Sequence, residues 1–541
     1  MQAPTALHVW RDIAVRYDHA VRPHVKVLWG MAVLSIAAYV VAFAWLSPLS
    51  LQDYPNHLAR VSVMADLLFH HGARFGADFR FHFAAIPYML GDLVLVCATE
   101  LFGIATAATV WSIFVFLSLP CALLFYLRSL RVPVDAQGLL LLLSLYLATD
   151  WFFLVGFLEF RLGVAMTLVL LGMAESVRRQ PTALRFVAYA SVLTLSYLTH
   201  LTTLVFVMAA LGITACLRLW RRKSTWGTEL ALLVPCGVIF LYHFSSGYAF
   251  RAPGDLVEVP FIWDTLKGKL LRLGSEFDRY GRGDGVLFGA LALSLGLYIG
   301  RARLRSFNNP AVLEMLALAG MFIAMYFALP VGYPEAYYVD IRALPMACLF
   351  LMIAVAKAAA IAPPGAAGAS SGEGWRQMSA AFAACVLVVA NLVYLTRHFR
   401  VHQVWLSEYR AIMASIPMHA RVLPVYTHGP DGKVVPFLHS FSYALTDRSA
   451  IVPYLQTGDT GNPEKYLRYR HRPYSPAQGW YGDIGVEPVD WRAAVCDYAF
   501  LLVTKPFDRG RLGVPLTTVA ENESAALFAL PVDSVCHKPA T

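Results

Sequence analysis

Charge is scarce in this chain. Only 15% of its 541 residues are Asp, Glu, Lys or Arg, while 58% are hydrophobic, a balance far from that of a soluble domain. The composition excludes a water-soluble enzyme and indicates a polytopic membrane protein. No cleavable leader is evident either. The first apolar run, VLWGMAVLSIAAYVVAFAWL (27–46), is about the length that spans a bilayer and has no small-residue cleavage site, so it reads as a signal anchor. Clustered cysteine is absent too: Cys97, Cys121, Cys216, Cys236, Cys348 and Cys385 lie singly in apolar stretches, where each reads as a small buried hydrophobe and none implies a metal site. Cys496 and Cys536 lie in the polar tail and could pair if that tail faces an oxidising compartment. The net charge of +9 comes with no aromatic-basic motif, which argues against a nucleic-acid partner.

Apolar windows are what the chain has in abundance. They place membrane spans at 27–46, 104–127, 137–153, 155–176, 183–199, 201–219, 227–246, 286–302, 310–330, 342–361 and 378–397, about eleven in all. A further segment, AAIPYMLGDLVLVCATELFG (84–103), is long enough to cross but carries Pro87, Asp92 and Glu100, which suit a surface position. Charge decides the matter. If 84–103 does not cross, RSLR (128–131), ESVRRQPTALR (175–185), RLWRRK (218–223) and RARLR (301–305) share one side with Arg11, Arg16, Arg22 and Lys26, as the positive-inside rule requires. TRHFR (396–400) is the one dissenting basic run. The amino terminus is then cytoplasmic and the polar tail extracytoplasmic, in a membrane read as a bacterial inner membrane. From 398 to 541 a helix-like stretch (QVWLSEYRAIMASI), strand-like runs (RVLPVY, YAFLLVTK) and turn-rich links suffice for one small α/β domain. APPGAAGASSGEG (362–374) reads as a flexible inner loop, and no internal repeat is evident.

With that topology, ionisable residues gather on the outer side. QDYPNHLAR (52–60) brings Asp53, His57 and Arg60; GFLEFRLG (156–163) brings Glu159 and Arg161 beside Asp150; YLTHLTT brings His200; GYPEAYYVDIR (332–342) brings Glu335, Tyr337, Tyr338, Asp340 and Arg342. Such groups at membrane depth are costly and therefore point to function. Structural readings stand beside the functional one. Asp53 occupies a helix N-cap position with Pro55 in the first turn, although capping does not call for His57 one turn later on the same face. Glu159 with Arg161, and Asp340 with Arg342, could be local pairs that settle helix ends. His200 could be a hydrogen-bonded packing residue. WFFLVGF and YPEAYY read most simply as interfacial belts.

This arrangement resembles the GT-C superfamily of integral-membrane glycosyltransferases. Members have many spans, an acidic residue in a first outer loop with surface-lying helices, and often a soluble domain after the last span. Here Asp53 stands at the acidic position, 47–103 supplies the loop, and the resemblance divides the chain into a transmembrane catalytic region (1–397) and an extracytoplasmic domain (398–541). The expected fold is an α-helical polytopic membrane protein, GT-C-like, with a small C-terminal α/β domain. Many relatives carry two closely spaced acids in that loop, whereas Asp53 is followed by Tyr54 and Pro55 and the next acid is Asp66. Paired-carboxylate binding of a divalent metal is correspondingly in doubt. No WWDYG-like string occurs in the tail, which argues against an asparagine-linked oligosaccharyltransferase.

The resemblance implies inverting transfer from a polyprenyl-phosphate sugar to an acceptor hydroxyl of a glycan, lipid or protein at the outer face. Asp53 is the expected base. Arg342 and Arg161 are the expected partners of the departing phosphate, with His57, Arg60, Glu159, His200, Glu335, Tyr338 and Asp340 lining the substrate site. The amphipathic loop 247–285 could close over a lipid-linked donor, or equally be a plain surface helix. Two other classes compete: a transporter or flippase, which predicts repeats and broken helices, and a membrane-bound acyltransferase centred on His200.

Overall fold

The computed structural model describes residues 23–246, 261–273, 277–281, 283–299, 306–333, 336–360, 370–427, 433–457, 466–475, 489–512 and 514–531. Its helices begin with α1 (Pro23–Trp45), α2 (Tyr54–Phe69) and, after strand β1 (Phe79–Phe81), α3 (Met89–Phe102). The bundle continues through α4 (Ile104–Ser129), α5 (Val134–Ala148), α6 (Trp151–Val155), α7 (Leu158–Arg179), α8 (Ala183–Thr199), α9 (Leu201–Trp220) and α10 (Trp226–Ser245). Then come α11 (Leu266–Leu273), α12 (Gly283–Ile299), α13 (Pro310–Ala328), the hairpin β2 (Gly332–Tyr333) and β3 (Ala336–Tyr337), α14 (Leu344–Ala360) and α15 (Ser370–Met413). The C-terminal part holds β4 (Val422–Val425), α16 (Tyr443–Arg448), β5 (Leu467–Tyr469), α17 (Trp491–Asp497), β6 (Phe500–Thr504), β7 (Thr517–Glu521) and β8 (Ala525–Ala529).

Among the described residues, nine helices are long and apolar enough to cross a membrane, and two shorter apolar ones, Ala183–Thr199 and Gly283–Ile299, fall where the hydropathy reading also placed spans. The protein is therefore an integral membrane protein. The ambiguous 84–103 segment yields only α3, whose 14 residues reach roughly 21 Å, short of the hydrocarbon thickness. Its Asp92 is fully buried, so the charge that argued against a span has a protein partner.

Two local expectations need correction. The aromatic run Trp151, Phe152 and Phe153 lies inside the bundle and not in an outer belt, at 5%, 4% and 0% exposure. Of the six single cysteines only Cys236 is buried; Cys97, Cys121 and Cys216 lie on the bundle surface, where a thiol among lipid tails is as well accommodated as in a core. Cys496 is disulfide-bonded, and Cys536 lies outside the described residues. The helix-like stretch after residue 398 is continuous with the last span: α15 runs for 44 residues, roughly 66 Å. Of the loop read as a lid, 247–260, 274–276 and 282 lie outside the described residues, as do 362–369 of the small-residue loop, whose remaining residues, 370–374, are the first of α15 and not a flexible link. Leu266–Leu273 forms α11, with Leu266, Leu270 and Leu271 exposed and Lys269 turned inward.

The C-terminal sheet has strand order β4-β6-β8-β7, with β4 parallel to β6 and the rest antiparallel. Leu423, Val425, Leu501, Val503 and Phe528 form its core. A second pairing positions the site: β1 of the first loop pairs antiparallel with β5 of the C-terminal part, Phe79 opposite Tyr469 and Phe81 opposite Leu467. Backbone bonds His82 N to Tyr466 O and Arg470 N to Asp78 O extend the ladder at both ends, so the C-terminal part lies directly over the first loop.

Candidate functional site beneath the C-terminal domain

Asp53 precedes α2, and its backbone is fixed from two sides. Its N–H donates to Val155 O at 2.8 Å, and its own carbonyl accepts from Asn56 and His57. The approach of the α6–α7 turn depends on Gly156, at φ +92°: a Cβ there would stand 3.1 Å from the backbone nitrogens of Asp53 and Tyr54. The carboxylate makes no capping bond to α2, although Asp53 is only 3% exposed. Pro55 in the first turn already removes one donor that a cap would satisfy. The helix therefore does not account for the acid. His439 Nε2 lies 3.4 Å from Asp53 Oδ1, and Gln52 Nε2 lies 3.4 Å from the same oxygen.

One turn further on, His57 Nδ1 stands between Arg60 Nη2 at 2.9 Å and Glu159 Oε1 at 3.6 Å. Arg60 grips Asp92 of α3 at two points, 2.6 and 2.9 Å, and Tyr466 of the C-terminal part donates to the same carboxylate. Glu159 reaches this cluster across α3 because Gly91 offers no side chain: a Cβ there would lie 2.9 Å from Glu159 Cγ. Burial works against a charged His57, but the Glu159 carboxylate outweighs it and holds the ring above its ordinary value, with Arg60 opposing. His439 is pushed down to about 4, by burial first and by the charge on His57 second.

His57, Asp92 and Glu159 each offer a ligand atom within 4.8 Å of the others, a donor set of the kind that holds a divalent cation. The Arg60 guanidinium, seated on Asp92, already supplies positive charge to these acids, so a metal would have to displace it. The cluster fits an internal ion-pair network better than a metal centre.

A second group lies along α7 and the amino-terminal end of α14. His200 caps α9 by accepting from Thr202 N at 3.1 Å through Nδ1. A neutral ring bonded in this way carries its proton on Nε2, which lies 2.9 Å from the Tyr88 hydroxyl. Arg342 Nη1 packs 3.1 Å from the same nitrogen, and its guanidinium lies over Phe157 and Phe160, 5.5 Å from each ring centre. The guanidinium is thus in contact with two aromatic rings and an imidazole. Tyr338, at φ +59°, packs edge-on against Trp151 at 4.7 Å.

The remaining expected residues have partners on other elements. Glu159 turns to His57, whereas Arg161 binds Asp150 at 2.9 Å and Leu147 O at 2.8 Å. Asp340 caps its own turn through Ile341 N and pairs with Arg272 at 2.8 Å and Lys269 at 3.3 Å. Both same-turn readings, Glu159 with Arg161 and Asp340 with Arg342, give way to these contacts. Glu335 lies outside the described residues. The sequence reading missed His439, Gln52, Tyr88, Tyr466 and Gln456. Their only signal there was the polar composition of the tail and loop, because their roles come from contacts across as many as 400 positions.

No protein-family model matches the chain, and neither does any curated protein. Among solved structures, the chain is similar to ArnT from Cupriavidus metallidurans in the apo state, with a TM-score of 0.54 and 13% identity over 93% of this chain and 98% of that one. The same protein bound to undecaprenyl phosphate gives a TM-score of 0.48 and 13% identity over 94% and 99%. Such low identity speaks to fold alone. The described helices and the C-terminal sheet share the ArnT fold across nearly the whole chain, and the GT-C resemblance read from the sequence holds at that level.

Proposed function

We propose that this protein is an inverting glycosyltransferase that moves a sugar from a polyprenyl-phosphate donor to an acceptor hydroxyl at the outer face of the membrane. The observation that carries this reading is the Asp53 carboxylate, buried at the start of α2 and not used to cap it, in a chain with the ArnT fold. In the transfer, Asp53 takes the acceptor's hydroxyl proton as the acceptor oxygen bonds to the anomeric carbon. The bond from that carbon to the phosphate oxygen breaks on the opposite face, and polyprenyl phosphate leaves with the electron pair. Positive charge on the sugar ring peaks as negative charge grows on the phosphate.

Arg342 is assigned to that phosphate, since a forked guanidinium suits it and this one rests on two aromatic rings beside His200. Arg161, held by Asp150 and a carbonyl, braces α7 against α5. His57, Arg60 and Glu159 fix the geometry around Asp53; His200, Tyr338 and Asp340 border the donor side, and Glu335 is kept there as a candidate. No step requires a metal. The disulfide at Cys496 supports placing the C-terminal domain in an oxidising, extracytoplasmic compartment.

The test is an assay of the purified protein with a panel of radiolabelled polyprenyl-phosphate sugars. The parent should release polyprenyl phosphate with one of them, and Asp53→Asn should lower that rate on the order of 10²- to 10⁴-fold with an unchanged melting temperature. An undiminished rate in Asp53→Asn, or no sugar consumed by the parent, overturns the reading.

A further inference from the structure

The C-terminal part does more than cover the first loop. Residues 433–456 bond to the segment that holds Asp53 through donors and acceptors on both sides. Val435 N donates to Gln52 Oε1 at 2.9 Å. Asn56 Nδ2 donates to Tyr454 O at 2.9 Å, and Gln456 N donates to Asn56 Oδ1 at 2.7 Å. Trp151 Nε1 donates to Lys433 O at 3.1 Å. Between these anchors His439 enters next to Asp53, its Nε2 at 3.4 Å from Oδ1, while its Nδ1 is buried without a hydrogen-bond partner.

An unpaired buried ring nitrogen is uncommon and calls for an explanation. A neutral imidazole has one N–H and one lone pair. If the proton sat on Nδ1, the ring would bury an unused donor and turn a lone pair toward a carboxylate; with the proton on Nε2 it presents an N–H to Asp53 at 3.4 Å. The second form is favoured, and the side chain's one evident polar engagement is then with the proposed base. Gln52 Nε2 approaches the same oxygen, and Gln52 is in turn held by Val435 N. His439 and Gln52, which approach Oδ1 together, therefore both depend on the docked segment.

We propose that His439 is a positioning residue of the transfer site: its Nε2–H donates to Asp53, fixing the orientation of that carboxylate and stabilising its charged form, so that the C-terminal domain completes the site. This rests on the transferase reading above. The 3.4 Å separation suits a contact that tightens when the acceptor arrives.

The experiment compares the parent, His439→Ala and His439→Gln in the polyprenyl-phosphate-sugar assay, with kcat, KM and the pH profile of kcat/KM. Gln carries its amide nitrogen near the place of Nε2. His439→Ala should lower kcat roughly 10- to 100-fold with little change in KM, and should move the acid limb of the profile to higher pH because the carboxylate loses a donor. His439→Gln should recover much of the rate and the original acid limb. An Ala variant with unchanged kcat and acid limb sinks the role of His439 while leaving the transferase reading intact. A rate loss that Gln does not restore, with the acid limb unmoved, also sinks it. Absence of transfer by the parent protein sinks the reading and this role together.

Discussion

Arg60 and Asp92, 32 positions apart, form a two-point ion pair at 2.6 and 2.9 Å with neither residue exposed. The pair ties α2, which begins beside Asp53, to α3, and Tyr466 binds the same carboxylate from the C-terminal part. Removing one partner leaves the other buried and charged. Arg60→Ala and Asp92→Ala should each destabilise the protein by about 3–5 kcal/mol. The double variant Arg60→Met with Asp92→Leu should cost less than the sum of the single ones. Thermal unfolding of the purified protein in detergent measures this; additive losses would contradict the pairing.

The two histidines near Asp53 predict a stability maximum in pH. His57 stands above its ordinary 6.5 because Glu159 outweighs burial, with Arg60 opposing and Asp92 assisting. It stabilises fully below pH 6.5 and loses that contribution as pH rises through its folded value. His439, pushed from 6.5 down to about 4 by burial and the His57 charge, contributes above 6.5 and loses that contribution as pH falls toward 4. Melting temperature should therefore peak near pH 6.5. His57→Gln should flatten the alkaline side and His439→Gln the acid side; a profile that neither variant changes would refute both assignments.

Gly156 predicts a coupling between the α6–α7 turn and the proposed base. Its φ of +92° disfavours a side chain, and an added Cβ would lie 3.1 Å from Asp53 N. Gly156→Ala should cost roughly 1–3 kcal/mol. Because the strain falls on the residues beside Asp53, sugar transfer should fall by more than the loss of folded protein explains. Transfer assays normalised to folded protein provide the check, and a normalised rate equal to the parent's would remove Gly156 from the site.

Much of this architecture was legible in the sequence, and the segments show why. Hydropathy over a window reports whether a helix can stand in lipid, so the eleven apolar stretches were readable one at a time, even where Ala183–Thr199 and Gly283–Ile299 are short. RVLPVY and YAFLLVTK likewise became β4 and β6. The continuity of α15 past residue 398 was not legible, because a polar helix that leaves the membrane loses the apolar pattern that identified its first half.

The chemistry divides along the same line. Local spacing placed Asp53 and His57 on one helical face, and the sparse charge of the spans made their neighbours conspicuous. By itself the sequence determined that these groups stand at the ends of apolar stretches and that an acid precedes α2. It did not determine their partners. Glu159 chooses His57 over Arg161, Asp340 chooses Lys269 and Arg272, and His439 arrives at Asp53 from the far end of the chain. Those choices follow from how helices and the C-terminal domain pack, with Gly91 and Gly156 setting the close approaches. Hydropathy and helical period act over a few residues, whereas an ion pair forms with whichever opposite charge the folded chain brings within about 4 Å, and only the tertiary structure decides that.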